Sequence, residues 1–424
     1  MILLATAVAA TLTLRDAVAE ALAKAPQASA AKARGDAARA RLAEARALWL
    51  PRVDLTETAA RSDDPVFVFS ALLQQGRFGE DVSTVQSFRA GLNVRYTIFD
   101  QLRRLEANAM ARNDVAQADA GYDEARQRLR LEALSRFYGV ALAEAKRGVA
   151  AGAVRAAEAQ AQAIRDKFEQ GLVVESDLLA TGVQLAEFRQ QEIEAEGDLA
   201  IARAALATLL QRSATDDVAV DAAMPERTFA GIDVQQAVAR GLAARGDVAA
   251  ANAFAQNAEL GVRTARGARL PRVDALANWS ATGATLAGRN HDHTVAVVAS
   301  FDLFDRGKVA RVAEARAGVA EARAAESAAR DAVTMEIVAA WHRARAARQR
   351  VDVAAKAAEQ AESAARIVRD RYEHGLTTIT EQLRAENALV RARLGLLAAR
   401  YDAVVGHAEL LRATGDLNDI TPFD

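Results

Sequence analysis

The sequence predicts a mainly α-helical fold that contributes four strands to a membrane β-barrel, and three observations carry that prediction. The two halves of the 424 residues repeat one another, each half holds two segments of alternating polarity, and those segments lie between long helix-forming stretches. Composition agrees. By count 51% of residues are apolar, much of that Ala, whereas aromatics are 5% and prolines six, which suits long helices packed through small side chains.

The duplication is visible in short matching segments. Leu50-Pro51-Arg52-Val53-Asp54 recurs as Leu270-Pro271-Arg272-Val273-Asp274, an offset of 220. Ile98-Phe99-Asp100 matches Leu303-Phe304-Asp305 at 205, and Phe168-Glu169-Gln170-Gly171-Leu172 matches Tyr372-Glu373-His374-Gly375-Leu376 at 204. Because the offset changes almost entirely between residues 53 and 99, one longer loop in the first half accounts for the difference. Each half is then one copy of a single supersecondary unit.

Taken in order, residues 1–11 read as the remnant of a secretory signal, an apolar run ending in small residues without a basic leader; the alternative is the frayed start of a cytosolic helix. The first repeat is expected over 12–212. A helical pattern from Leu14 to Trp49 stops at Pro51, which lacks an amide hydrogen. A weakly alternating strand follows at about 53–62, then a connection from Asp63 to Ser87. That connection holds Pro65-Val66-Phe67-Val68-Phe69 and Ala71-Leu72-Leu73, too apolar to float in water, and is expected to fold over a barrel mouth or plug it. In the strand at about 88–100, Phe88, Ala90, Leu92, Val94, Tyr96 and Ile98 alternate with Arg89, Gly91, Asn93, Arg95, Thr97 and Phe99. Leu102 to about Gln170 contains no proline, and at 1.5 Å per residue a helix of that length makes a rod of about 100 Å. It ends at a tip turn near Gly171, and a returning helix opens with Glu175-Ser176-Asp177.

Residues 213–232 read as a linker strapped around the helices, and 233–414 as the second repeat. Its strands are expected at about 273–283 and 293–304, joined by a short polar connection, and its second long helix runs from Lys308 to a tip turn near Gly375. Residues 415–424 are a tail. Four two-faced strands leave open edges and cannot close a barrel alone, so closure requires several copies, with Arg89, Asn93, Arg95 and Asp302 facing water inside.

Much chemistry is excluded. There is no cysteine, and no P-loop, GxGxxG, HExxH, GxSxG or EF-hand pattern, so neither enzyme nor cofactor nor metal site is expected. His291-Asp292-His293 is the one cluster of metal-ligating type, and a solvated turn accounts for it better, since no further ligands lie nearby. At a formal net charge of −2 there is no field to attract nucleic acid. No stretch reaches the roughly 18 to 20 apolar residues of a membrane-spanning helix. A soluble periplasmic or cytosolic coiled-coil scaffold would explain the Ala-rich helices but leaves both hairpins unexplained.

Taken together, the duplication, the Leu-Pro-Arg step into each first strand, the Phe-Asp step out of each second strand and the segments 168–179 and 372–383 resemble the TolC-type outer-membrane efflux proteins over nearly the whole chain, about Leu12 to Thr414. The resemblance implies a homotrimer whose twelve strands close one barrel in the outer membrane and whose helices form a periplasmic tunnel. It implies a passive exit duct for a tripartite efflux or type I secretion system, docking a periplasmic adaptor and through it an inner-membrane pump. Carried over by residue, Asp177 and Glu381 match acids at the closed end, Tyr372 a gate tyrosine, and Gly171, Leu172, Gly375 and Leu376 the turns that an adaptor touches. Two positions depart: Thr377 stands where some members have a gate arginine, and Arg384 where a second lumen aspartate is expected. Read without the resemblance, Asp177 and Glu381 are first-turn helix acids, each worth about 0.3 to 1 kcal/mol against the helix dipole.

Overall fold

A computed structural model describes residues 11–221, 224–225, 231–287, 290–418 and 420–423. The expected signal remnant, apart from residue 11, and part of the expected linker lie outside the described residues. The elements run α1 (Leu14–Lys24), α2 (Pro26–Ala47), β1 (Arg52–Ser62), α3 (Pro65–Gln75), β2 (Val85–Asp100), α4 (Arg103–Glu169), α5 (Glu175–Leu209), α6 (Val234–Ala244), α7 (Gly246–Gly267), β3 (Arg272–Gly283), β4 (Asn290–Ser300), α8 (Arg306–Glu373) and α9 (Ile379–Thr414). Each half is therefore helices, hairpin, very long helix and returning helix, and the chain is mostly helical with four antiparallel strands.

The expected single helix from Leu14 to Trp49 is two. Ala25 is extended at ψ 130° because the following Pro26 disfavours helical backbone before it. The second half breaks at the same place without a proline, where Arg245 is extended at ψ 127°. There Gly246 lies so close to α4 that an added Cβ would come within 2.6 Å of the Ala120 carbonyl oxygen. The close backbone approach requires glycine there and permits a break that no proline imposes.

The chain divides into two compact units. One comprises residues 1–33, 120–249 and 328–424. Its main core joins Leu129, Leu134, Phe137 and Tyr138 of α4 to Leu14 and Val18 of α1, Leu206 of α5, and Leu417 and Phe423. The Tyr138 hydroxyl donates to the Phe423 carbonyl. A second cluster joins Ala237, Val333, Ile337 and Leu410, capped by a hydrogen bond of 2.7 Å from the Trp341 indole to the Ile232 carbonyl. Part of the connecting segment is held as well: Leu12 and Val220 form a parallel bridge, with Leu12 N donating to the Ala219 carbonyl at 2.9 Å.

The other unit, residues 34–119 and 250–327, holds the sheet, ordered β1-β2-β3-β4. Its register is continuous except for an irregularity at Thr97 to Phe99. β4 begins at Asn290 and ends at Ser300, where the sequence suggested about 293–304. Ser300 pairs with Arg272, the first residue of β3, so nothing remains for residues 301–304 to pair with. Asp302 consequently lies beyond the strand, in a 2.7 Å ion pair with Lys308. The expected loop between β1 and β2 contains a helix, α3. The Asp64 carboxylate caps it by accepting from Phe67 N at 2.8 Å, Pro65 occupies its first turn, and Gly76 closes it in the left-handed conformation.

In the first unit, Arg212 fastens to α1: its Nε donates to Glu20 Oε1 at 3.0 Å, and Lys24 reaches the same oxygen at 2.7 Å. The Arg212 hydrogen bond chiefly holds the Glu20 carboxyl down at about 2 against an ordinary 4.5. A depressed carboxylate stabilises the fold above its unfolded value and loses that contribution as pH falls toward the folded one. Glu20→Gln is therefore expected to lower stability by about 1 kcal/mol at pH 7. Thermal unfolding of the two proteins should show the gap closing as pH falls from about 5 to about 2.

Candidate functional site

The two helix reversals are built alike. Gly171 and Gly375 have φ of +73° and +71°. Their amides bond to the Phe168 and Tyr372 carbonyls at 2.9 Å, and Leu172 and Leu376 bond one residue further back, to Lys167 and Arg371. Leu172 and Leu376 are 69% and 66% exposed, so each reversal presents an apolar side chain outward. The helices that follow begin differently. Thr378 caps α9 by accepting from Glu381 N, whereas Val174 before α5 gives no side-chain cap.

The residues expected at a gate fall into two groups. Glu381 and Arg384 form an exposed ion pair of 3.0 Å on the first turns of α9, so the acid is neutralised within its own helix. Tyr372 is half-buried, with the Lys167 ammonium 5.4 Å from its ring centroid. Burial, and secondarily the negative charge of Asp177, push its hydroxyl pKa above the usual value. Tyr372 thus feels the charge of Asp177, while Arg384 answers Glu381. Sequence reasoning missed Lys167, and also Gln382 and the ion-paired Arg369 and Glu386, which line a cavity of about 320 Å³ with Tyr372. One usable signal was available: Arg189–Glu158 at 2.8 Å and Arg393–Glu362 at 3.1 Å are the same helix-to-helix ion pair displaced by 204 residues.

The sheet has two unlike faces. Pairing Arg89 with Thr58 and Thr282, and Asn93 with Asp54 and Asn278, places them with Arg95, Ser280, Asp292 and Thr294 on one polar face. Asp292 accepts from Ser280 Oγ at 2.6 Å and lies 3.5 Å from the Arg89 guanidinium. Asp302, expected beside Arg89, Asn93 and Arg95, is outside this face because the strand has ended. The opposite face carries Val53, Leu55, Leu92, Tyr96, Trp279, Val295 and Val297, all exposed in the single chain. Carboxylate, guanidinium and imidazole groups on that face belong to the edge strands alone: Glu57 and Arg61 on β1, His291 and His293 on β4. His291 stacks on Trp279 with centroids 5.5 Å apart. The two histidines and Asp292 belong to the strand, not to a turn, and point to opposite faces, so they do not converge on an ion.

Among the described residues no helix is long and apolar enough to cross a membrane. The sheet, apolar on one face and polar on the other, has the two-faced pattern of a barrel wall. Such a sheet between very long helices defines a β-barrel channel of the outer-membrane class. The chain belongs to the outer membrane efflux protein family, whose model matches residues 17–211 and 237–416. It is an efflux channel of the outer membrane. The same fold is found in VceC of Vibrio cholerae (20% identical, TM-score 0.79, covering 95% of this chain and 96% of that one). It is found also in the CmeC outer membrane channel of Campylobacter jejuni (18%, 0.80, 96% and 86%). A third is the open state of the MtrE outer membrane channel of Neisseria gonorrhoeae (19%, 0.79, 95% and 89%). No curated protein sequence matches the chain.

An added Cβ at Gly375 meets nothing within 4 Å, so its replacement costs backbone strain alone. Gly375→Ala is expected to lower stability by about 1 to 2 kcal/mol. Gly182, in the interior of α5 with equally open surroundings, gives the opposite sign, a gain of about 0.5 to 1 kcal/mol as Ala. Thermal unfolding of the detergent-solubilised variants checks both.

Proposed function

We propose that this channel is the passive exit duct of a tripartite efflux or type I secretion system, assembled as a homotrimer. The observation that carries the reading is the open-edged, two-faced sheet. Its four strands alternate in direction, so β4 of one copy and β1 of the next run antiparallel, as a closed barrel requires. Three copies give twelve strands with the apolar face toward lipid and Arg89, Asn93 and Arg95 toward the lumen. A soluble scaffold would leave the exposed apolar face without an environment.

In this reading the two repeats, 12–212 and 233–414, supply the helices of a periplasmic tunnel, with 213–232 as the belt between them. The reversals at Gly171-Leu172 and Gly375-Leu376 are the docking points for a periplasmic adaptor. Asp177, Tyr372, Glu381 and Arg384 form the aperture, which opens when the adaptor engages. The inner-membrane pump supplies the energy, and the duct carries out no reaction. The pairing of Glu381 with Arg384 supports an aperture whose charge is balanced on α9 and left negative at Asp177.

Two measurements test this. The native mass of the detergent-extracted protein is expected to be three times 45.1 kDa; a monomer would sink the shared barrel. Single-channel recording of Asp177→Ala with Glu381→Ala is expected to show higher conductance, and an unchanged value would return both acids to helix capping. Arg384→Ala should leave Glu381 unbalanced and shift the reversal potential in a salt gradient toward cation preference.

A further inference from the structure

α3 lies on the polar face of the sheet. Its inward side chains Val68, Ala71 and Leu72 pack on Val85 of β2, and Ser87, Ser280 and Thr282 are buried at the same end of that face. Asn290, also on that face, donates to the Gln74 carbonyl at 2.7 Å, and Gln75 donates to the Gln86 carbonyl at 2.7 Å. The helix is therefore seated on the wall by side-chain packing at one turn and by hydrogen bonds at another.

Its other side is apolar too. Val66, Phe69 and Leu73 are 77%, 66% and 42% exposed. They follow the spacing of three and four that makes a single stripe along a helix, the seam by which helices pack on one another. A helix apolar on two sides is one that is covered on two sides. Within the chain one side is covered. Residues Pro65–Gln75 carry no charged side chain, so copies of this helix meet without repulsion.

Geometry supplies the occupant. Twelve strands about 4.8 Å apart and tilted about 40° enclose a radius of about 12 Å. A helix about 10 to 12 Å across, laid on that wall, reaches the axis. On the trimeric reading proposed above, on which this rests, only the same helix from the other two copies stands there. We infer that the three α3 helices meet through Val66, Phe69 and Leu73 and form a hydrophobic constriction at the hairpin end of the barrel. Such a ring stops ions by dewetting and yields to apolar solutes. It is a second barrier, separate from the aperture at the helix reversals and built from neutral side chains.

The absence of cysteine makes the test direct. A single Phe69→Cys variant, oxidised in membranes, is expected to give a covalent dimer containing about two thirds of the protein, since one thiol of every three is left over. Leu55→Cys, on the opposite face, should stay monomeric on the same gel. Native mass measured on the same preparation separates two failures. A trimer without cross-linking overturns the α3 contact and leaves the trimer standing, whereas a monomer overturns the trimer as well. In planar bilayers Phe69→Ser with Leu73→Ser, both at exposed positions, should raise conductance above the parent value; equal conductance in a trimeric preparation overturns the constriction.

Discussion

In hydrocarbon a strand edge has no water to bond with, and each unpaired amide or carbonyl there costs several kcal/mol. The sheet of this protein has two such edges, and the rest of the molecule is arranged around that fact. The central strands β2 and β3 place no acid, arginine, lysine or histidine on the apolar face, whereas β1 and β4 keep Glu57, Arg61, His291 and His293 there. Charges at edges discourage indiscriminate pairing. The alternating strand directions suit the antiparallel pairing of copies proposed above.

Duplication explains why the two halves of the chain carry the same devices. The helix-to-helix pairs Arg189–Glu158 and Arg393–Glu362, like the reversals at Gly171 and Gly375, are one design used twice. Where the copies differ, the difference is local and has a physical reason. Pro26 breaks the first helix by its own chemistry, and Gly246 permits the second break by clearing space against Ala120. Thr378 caps α9, and Val174 leaves α5 without a side-chain cap. Among the described residues α3 has no counterpart in the short second hairpin.

Most of the fold was legible because it is periodic. Alternation located the strands, the lack of proline the long helices, and Gly-Leu the reversals. What escaped depends on partners rather than on the local chain. β4 ends at Ser300 because β3 begins at Arg272, and the alternation of Phe301 and Leu303 carries no sign of that. Asp302 therefore lies past the strand end and not on the polar face with Arg89, Asn93 and Arg95. α3 does have local signals, Asp64-Pro65 before it and Gly76 after it, but over eleven residues helix period and plain hydrophobicity are hard to separate. At the reversals the sequence supplied Glu381, Arg384, Asp177 and Tyr372 but not their partners. The pairing of Glu381 with Arg384 follows from a spacing of three on a helix, while Lys167 beside Tyr372 comes from another helix entirely.

Residues 415–423 complete a core that the first repeat begins. Leu417 and Phe423 are buried among α4 side chains, and Tyr138 bonds to a carbonyl 285 positions later. Contacts of such sequence separation form late. Without Leu417 and Phe423, the α4 side chains Leu134, Phe137 and Tyr138 lose part of their cover. The last turns of the described chain are thus tied to its first repeat, and the α4 core depends on residues nearly three hundred positions away for part of its burial.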